Sequence, residues 1–279
     1  MRKSLTLVAT GVAAALALSA CGGSGEASST VDTLDPANPV TLTVGASPLP
    51  HGKILQFIDE NLVADTGLDL EIKEFDDYVT PNIALDDGSL DANYYQHLPY
   101  FESQVESQGY DFEHGAGVHV EPYAVFSEKH EDISSVGDGA RVAITNDPSN
   151  QARALTLLEE AGLLENVDAE ASVLSLTEEQ NPKDLEFVEN QPELLVNDLT
   201  DPTVDLAIIN GNYILAAELS TDDALLVESV EENPYANFLA WKTGNKDARI
   251  DKLEELLHSP EVKSYIQETW PNGDVTAAF

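Results

Sequence analysis

The spacing of apolar residues along the chain switches repeatedly between a period of two and a helical period. VTLTVGA (40–46) alternates apolar and polar side chains and predicts a strand. HGKILQFIDENLVADTG places Ile54, Leu55, Ile58 and Leu62 at helical spacing, with Gly67 as the expected stop. LDLEIKEF alternates again, PNIALDDG predicts a short helix opening on proline, and SLDANYY a brief strand. PYFESQVESQGY predicts a helix with Pro99 near its first turn and Gly109 past its end. RVAIT predicts a strand with a helix after it, LEFVEN and VDLAIIN predict strands, NYILAAELS a helix and ALLVESV a further strand. DKLEELLHSPEVKSYIQETW closes the chain as helix interrupted near Pro260. Strand and helix in alternation predict an α/β fold, parallel sheet with helices packed on it.

Two segments break the alternation. VEPYAVFS (120–127) and NPYANFLAWKT (233–243) are extended and carry proline. Two α/β units joined by two such crossover segments predict a two-lobed, periplasmic-binding-protein-like fold. Its ligand cleft would lie between the lobes and close by a hinge motion at the crossings. Residues 40–121 with 236–279 would form lobe 1, and 122–235 lobe 2.

The ends and the charge add location. Arg2 and Lys3 precede an apolar run from Leu5 to Leu18, the length of a signal-peptide core and short of the roughly 20 residues that span a bilayer. LSAC follows, ending at Cys21, the single cysteine of the chain. This pattern predicts a lipoprotein signal over 1–20, with Cys21 as the lipidated (palmitate-bearing) mature N-terminus on the extracytoplasmic face of the cell membrane. An ordinary signal peptide with an incidental cysteine is the alternative. Residues 21–39 are rich in Gly, Ser, Ala and acid and predict a flexible tether. With 51 Asp and Glu against 13 Lys and Arg, the net charge is −38. That argues against nucleic acid as a partner, and the acidic runs predict a solvated surface.

In so acidic a chain the placement of one arginine matters. NDPSNQAR (146–153) follows the predicted strand RVAIT and opens the helix. Asn146 or Asp147 can cap it, Pro148 suits its first position, and Gly162 can end it. Leu155, Leu158 and Ala161 mark the buried stripe. Asn150 and Arg153, three apart, share a face near the first turn, where free N–H groups and a guanidinium together suit a carboxylate. A surface arginine paired with Glu159 or Glu160 explains the same residues. SLDANYYQHLPYF (89–101) concentrates Tyr94, Tyr95, His97, Tyr100 and Phe101 at a strand-to-helix turn, where open α/β sheets bind ligands. These rings would line a slot with polar tips or pack beneath the turn. Tyr78 lies in another such turn, Asn210 follows an apolar strand, and Asn237 follows the second crossing. Asparagine both donates and accepts, which suits an amino acid's ammonium and carboxylate.

Chemistry beyond binding has little support. The histidines, at 51, 97, 114, 119, 130 and 258, form no HxH or HExxH pattern, and no GxSxG, P-loop or dinucleotide fingerprint is present. No catalytic residue, metal site or cofactor is predicted, and the chain is read as a non-enzyme.

The stretches VGASPLPHGKIL (44–55), DYVTPNIALDDGSLDANYYQHLPYF (77–101), VAITNDPSNQARALTLLEEAGLL (142–164), AIINGNY (207–213) and NPYANF (233–238) resemble the methionine-binding lipoproteins of the MetQ/NlpA type. The resemblance runs from about residue 40 to the C-terminus. It implies a monomeric substrate-binding lipoprotein that captures methionine, L- and also D-, and delivers it to an ABC permease and its ATPase. It also implies roles. Arg153 would clamp the ligand carboxylate with support from Asn150. Asn210 and Asn237 would hold the α-amino and carboxylate groups. Tyr78, Tyr95, His97 and Tyr100 would wall the side-chain pocket. The position of Tyr95 is often Phe in that family, so its hydroxyl bears on side-chain preference. The same fold binding another amino acid or a methionine-containing dipeptide is the alternative; a surface lipoprotein or adhesin without a small ligand is a further one.

Overall fold

The computed structural model describes residues 30–231 and 233–279; the predicted signal and Cys21 lie outside the described residues. Five strands come first: β1 (Val40–Ala46), β2 (Leu68–Glu74), β3 (Ala92–His97), β4 (Phe112–His114) and β5 (His119–Val120). The chain then crosses into β6 (Ala124–Phe126), β7 (Arg141–Thr145), β8 (Glu186–Asn190), β9 (Leu206–Ile209) and β10 (Leu226–Val227). It returns as β11 (Asn237–Lys242) and β12 (Thr276–Ala277). The first sheet has the order β12-β5-β11-β3-β1-β2 with β4 also on β11, and the second β10-β6-β9-β7-β8. Between them run α1 (Lys53–Asn61), α2 (Thr80–Asp86), α3 (Leu98–Gln108), α4 (Pro148–Glu160), α5 (Leu195–Leu199), α6 (Gly211–Ala216), α7 (Ala248–Leu257) and α8 (Pro260–Thr269).

Both sheets are mixed, where a parallel sheet was expected. β1 runs parallel to β2 and β3, and β7 parallel to β8 and β9. The exceptions come from the crossings: β6 enters its sheet antiparallel to β9, and β11 antiparallel to β3. A chain that has just changed sheets enters the new one from the cleft side and so runs against strands that end there. In consequence the carboxyl end of β3 and the amino end of β11 meet, with Asn237 paired to His97.

Each sheet carries its own core. Leu42, Val44, Ile54, Leu55, Ile58, Leu253 and Ile266 join α1, α7 and α8 to the first sheet. Val142, Ile144, Leu155, Leu158 and Ile208 join α4 to one face of the second, with a further cluster around Leu195 and Ile209 on its other face. A second contribution to the first sheet is ionic. Arg249, at the start of α7, donates through Nε and Nη2 to Asp247 (3.0 and 2.9 Å) and through Nη2 to Asp91 (3.2 Å). Its Nη1 donates to the Thr41 carbonyl (2.8 Å).

Three expectations change. α1 ends at Asn61, not at Gly67; Gly67, at φ 81°, turns the chain into β2, and a Cβ there would lie 2.7 Å from the Asp35 backbone. Within ALLVESV the strand covers only Leu226 and Val227, and the next residue, Glu228, keeps a backbone bond to the Tyr123 carbonyl (2.8 Å) while its carboxylate pairs with Arg153. Residues 30–39, assigned to the tether, lie on the first sheet's body. Val31 exchanges hydrogen bonds with the start of α7, through the Asp247 side chain (3.1 Å) and the Ala248 amide (2.9 Å), and Leu34 packs on the core.

Candidate functional site

A bulge shapes the first wall of the cleft. β11 pairs Phe238 with Gln96 and Leu239 with Tyr94, so Tyr95 is an extra residue in β3. An inserted residue re-aims the side chains that follow. Tyr94 stays in the core with Ala92, while Tyr95, Gln96 and His97 all line one cavity. Simple alternation would have turned one of the three away.

His97 ends β3 and caps α3, its Nδ1 accepting from the Tyr100 amide (3.2 Å). Its Nε2 therefore carries the hydrogen and donates to Asn150 Oδ1 (3.1 Å). Burial, with the nearby Arg153 charge, pushes its pKa to about 3, so the ring is neutral. The hydroxyls of Tyr95 and Tyr100 both donate to the Tyr78 carbonyl (2.9 and 2.8 Å). Those bonds hold Tyr78 so that its own hydroxyl reaches Asn212 Oδ1 (2.5 Å) and its ring packs on Tyr213. The sheets thus touch across the cleft through His97–Asn150 and Tyr78–Asn212.

Because Tyr95 spends its hydroxyl on a carbonyl that Tyr100 also serves, Tyr95→Phe should cost stability only about 1 kcal/mol in a thermal melt. It should change ligand affinity less than about tenfold by calorimetry. A larger affinity loss would place the hydroxyl on the ligand.

The second wall is the start of α4. Asp147 is its cap, accepting from the Asn150 amide (2.7 Å) and from Asn150 Nδ2 (2.9 Å). Asn150 Oδ1 also accepts from Asn210 Nδ2 (3.0 Å). Arg153, one turn on, is buried and does not pair with Glu159 or Glu160. Its partner is Glu228: Nε donates to Oε1 (2.8 Å) and Nη2 to Oε2 (2.5 Å), while Nη2 also donates to the Glu121 carbonyl (2.9 Å). The guanidinium lies 4.0 Å from the Tyr235 ring centre and 5.0 Å from that of Tyr123. Burial works against its charge, but the Glu228 carboxylate raises its pKa further above the ordinary value. Among the described residues no hydrogen bond engages its Nη1.

All eight side chains singled out in the sequence, Tyr78, Tyr95, His97, Tyr100, Asn150, Arg153, Asn210 and Asn237, line this single cavity. The space between atoms inside it, with the part open to solvent at the mouth included, is about 360 Å³. Five further residues share the lining: His51, Gln96, Glu121, Gly211 and Asn212. His119-x-Glu121 in an extended segment was a legible signal for one of them, since a period of two puts both side chains on one side. His119 Nε2 meets Glu121 Oε1 at 2.8 Å, and its Nδ1 accepts from the Tyr94 hydroxyl. His51 Nε2 lies 3.3 Å from Glu121 Oε1 and 3.2 Å from Asn237 Oδ1. The ligand-type atoms of His51, His119 and Glu121 all lie within 4.8 Å of one another. This is a grouping of metal-ligand composition that the histidine spacing did not predict, and its members are joined here by hydrogen bonds.

A family model described as NlpA lipoprotein matches residues 42–279. The chain belongs to the NlpA lipoprotein family. Among curated NlpA-type relatives, the methionine-binding lipoprotein MetQ of Bacillus subtilis is 36% identical over 235 residues, covering 82% of this chain and 85% of that protein. A lipoprotein of Actinomyces odontolyticus of known crystal structure is 46% identical, with a TM-score of 0.81 over 87% of this chain and all of that one. A nutrient-binding protein of Burkholderia cenocepacia, solved bound to methionine, is 37% identical, with a TM-score of 0.79 over 85% of this chain and all of that one. These NlpA-type structures share the two-lobed α/β architecture. No helix among the described residues is long and apolar enough to cross a membrane.

Proposed function

We propose that this chain is the extracytoplasmic binding protein of an ABC importer, anchored to the membrane by a lipid on Cys21, and that it captures methionine. The observation that carries this reading is the cavity: a buried guanidinium, four asparagines and a tyrosine-walled slot surround one small volume. Arg153 Nη1 is the donor left for the ligand carboxylate, and Asn150 is positioned beside it by the Asp147 cap. Tyr78, Tyr95 and Tyr100 offer an apolar surface to a thioether chain, whose sulfur contacts aromatic rings favourably. The name of the Bacillus subtilis relative and the methionine in the Burkholderia cenocepacia structure support the same ligand. The site binds rather than turns over its ligand, and the permease with its ATPase would receive it. Residues 40–121 with 236–279 and residues 122–235 would act as the two lobes, hinging at the crossings.

Thermal denaturation tests this reading. After co-purified ligand is removed by partial unfolding, methionine at about 100 times its dissociation constant should stabilise the protein by roughly 2.7 kcal/mol. Stabilisation by Gly-Met alone would make the ligand a dipeptide. No response to any amino acid or dipeptide would leave a surface lipoprotein without a small ligand.

A further inference from the structure

Three buried side chains at one side of the cleft have no part in the proposed amino-acid site. His51, His119 and Glu121 are 1%, 0% and 6% exposed. One nitrogen or oxygen of each lies within 4.8 Å of the others. Both ring Nε2 atoms turn to the same carboxylate oxygen, Glu121 Oε1, His119 at 2.8 Å and His51 at 3.3 Å. Zinc bonds nitrogen and oxygen at about 2.0–2.1 Å, so at a tetrahedral angle its neighbouring ligand atoms stand about 3.3 Å apart. The His51 separation already has that value, and the His119 separation needs to open by about half an ångström.

The surroundings prepare both rings as ligands. His119 Nδ1 is bonded to the Tyr94 hydroxyl. With a metal on Nε2 the ring proton moves to Nδ1 and that bond reverses, Nδ1 donating to the hydroxyl oxygen, in the way a ligating histidine donates its far nitrogen. His51 packs edge-on against Tyr94 and against His119, ring centres 4.8 Å apart in each case. Its Nδ1 is buried and has no hydrogen-bond partner among the described residues. The polar contacts of this ring are those of Nε2, which faces Glu121 Oε1 and, at 3.2 Å, Asn237 Oδ1. One N–H cannot fully satisfy two acceptors, whereas a cation attracts both oxygens and the nitrogen lone pair. Gly211 closes on the acid from a third side: a Cβ there would lie 2.6 Å from the Glu121 Cβ, so this backbone packs tightly against it.

We infer that His51, His119 and Glu121 form a binding site for a first-row divalent transition-metal ion, with its fourth position open to the cavity beside Asn237. Two imidazoles and one carboxylate suit zinc and its neighbours in the row, while magnesium and calcium take sets of oxygens. Three protein ligands and an open position make an exchangeable site rather than a closed structural one. His51 and Glu121 line the cavity, which gives the ion its way in. This site goes beyond the proposed amino-acid binding and does not depend on it.

The test is calorimetric titration of the amino-acid-free full chain with Zn²⁺, in an excess of Mg²⁺ that screens the acidic surface. The wild type should take up a single zinc per chain that magnesium does not displace. His51→Gln and Glu121→Gln should each weaken that uptake by at least about 100-fold, more than the roughly 10–100-fold cost of losing a ligand's hydrogen-bond partner. Tyr94→Phe, which keeps all three ligands and removes the partner of His119, should weaken it by about tenfold. His130→Gln, outside the cluster, should leave it unchanged. With Co²⁺ in place of zinc, the wild type should show the visible absorption of a four-coordinate nitrogen and oxygen site, and His51→Gln should lose it; this carries the test if Glu121→Gln fails to fold. No magnesium-resistant zinc uptake by the wild type, or equal uptake by His51→Gln, would overturn the inference. Because the titration contains no amino acid, a methionine response in the thermal melt without a zinc site would overturn this inference alone and leave the proposed function standing.

Discussion

Arg153→Ala should weaken methionine binding by at least about a hundredfold, the penalty for deleting the cationic half of a buried charge pair. The truncation acts twice. It removes the Nη1 donor proposed for the ligand carboxylate, and it leaves Glu228, whose side chain is 13% exposed, without its cation. Ligand-free Arg153→Ala should therefore also melt earlier than the wild type. Glu228→Gln separates the two effects, since it keeps the guanidinium and its bond to the Glu121 carbonyl while removing the internal competitor. It should retain most of the affinity that Arg153→Ala loses. Isothermal titration of both variants is the measurement, and a near-wild-type affinity for Arg153→Ala would take Arg153 out of the ligand's reach.

The second large effect falls on stability. Arg249→Ala should reduce the free energy of unfolding by about 3 kcal/mol, because it strands two carboxylates in or near the core. Asp247 is nearly fully buried and Asp91 about a quarter exposed, and Arg249 bonds both. Burial alone would raise the Asp247 pKa, but Arg249 and the amides it caps hold it below the usual value of 3.8. A depressed carboxylate stabilises the fold above its unfolded pKa and loses that contribution only as pH falls through the folded value. The loss in Arg249→Ala should accordingly be full at neutral pH and shrink on acidification below about pH 4. Urea titration at both pH values reads it. Methionine affinity, measured on the folded variant, should stay within about twofold, since Arg249 does not line the cavity. A cost under about 1 kcal/mol at neutral pH would show the cluster to be solvated like a surface pair.

The contrast between these two arginines shows where the sequence can be read and where it cannot. Arg153 stood out because local signals surround it: a strand, a capping Asp147, Pro148 and Asn150 on the same face. Those are short-range rules, and the structure obeys them down to the cap. Its partner was not legible, because Glu228 lies 75 residues away and comes close only when the segment after β10 lies beside Tyr123. Among the described residues, the nearer Glu159 and Glu160 form no ion pair with Arg153. Arg249 drew no attention at all, since nothing local distinguishes an arginine beside Asp247 from any solvated pair on an acidic surface.

The same division runs through the fold. Periodicity, prolines and glycines located most of the strands and helices, because those features depend on residues within a turn or two of one another; β4, α5 and β12 were not among them, and most of the second proline-bearing crossing is the strand β11. The chain motifs likewise led to eight of the thirteen residues that line the cavity. Tertiary structure alone decided the rest. The bulge at Tyr95 is a matter of register against β11 and turns three consecutive side chains into the cleft. The crossings make both sheets mixed. Glu121 is enclosed only when His51 and Gly211, from separate parts of the chain, close around it beside its neighbour His119. Side-chain type and spacing are properties of the sequence, but the field around a charge depends on what surrounds it in space, and that is settled only when the two sheets meet.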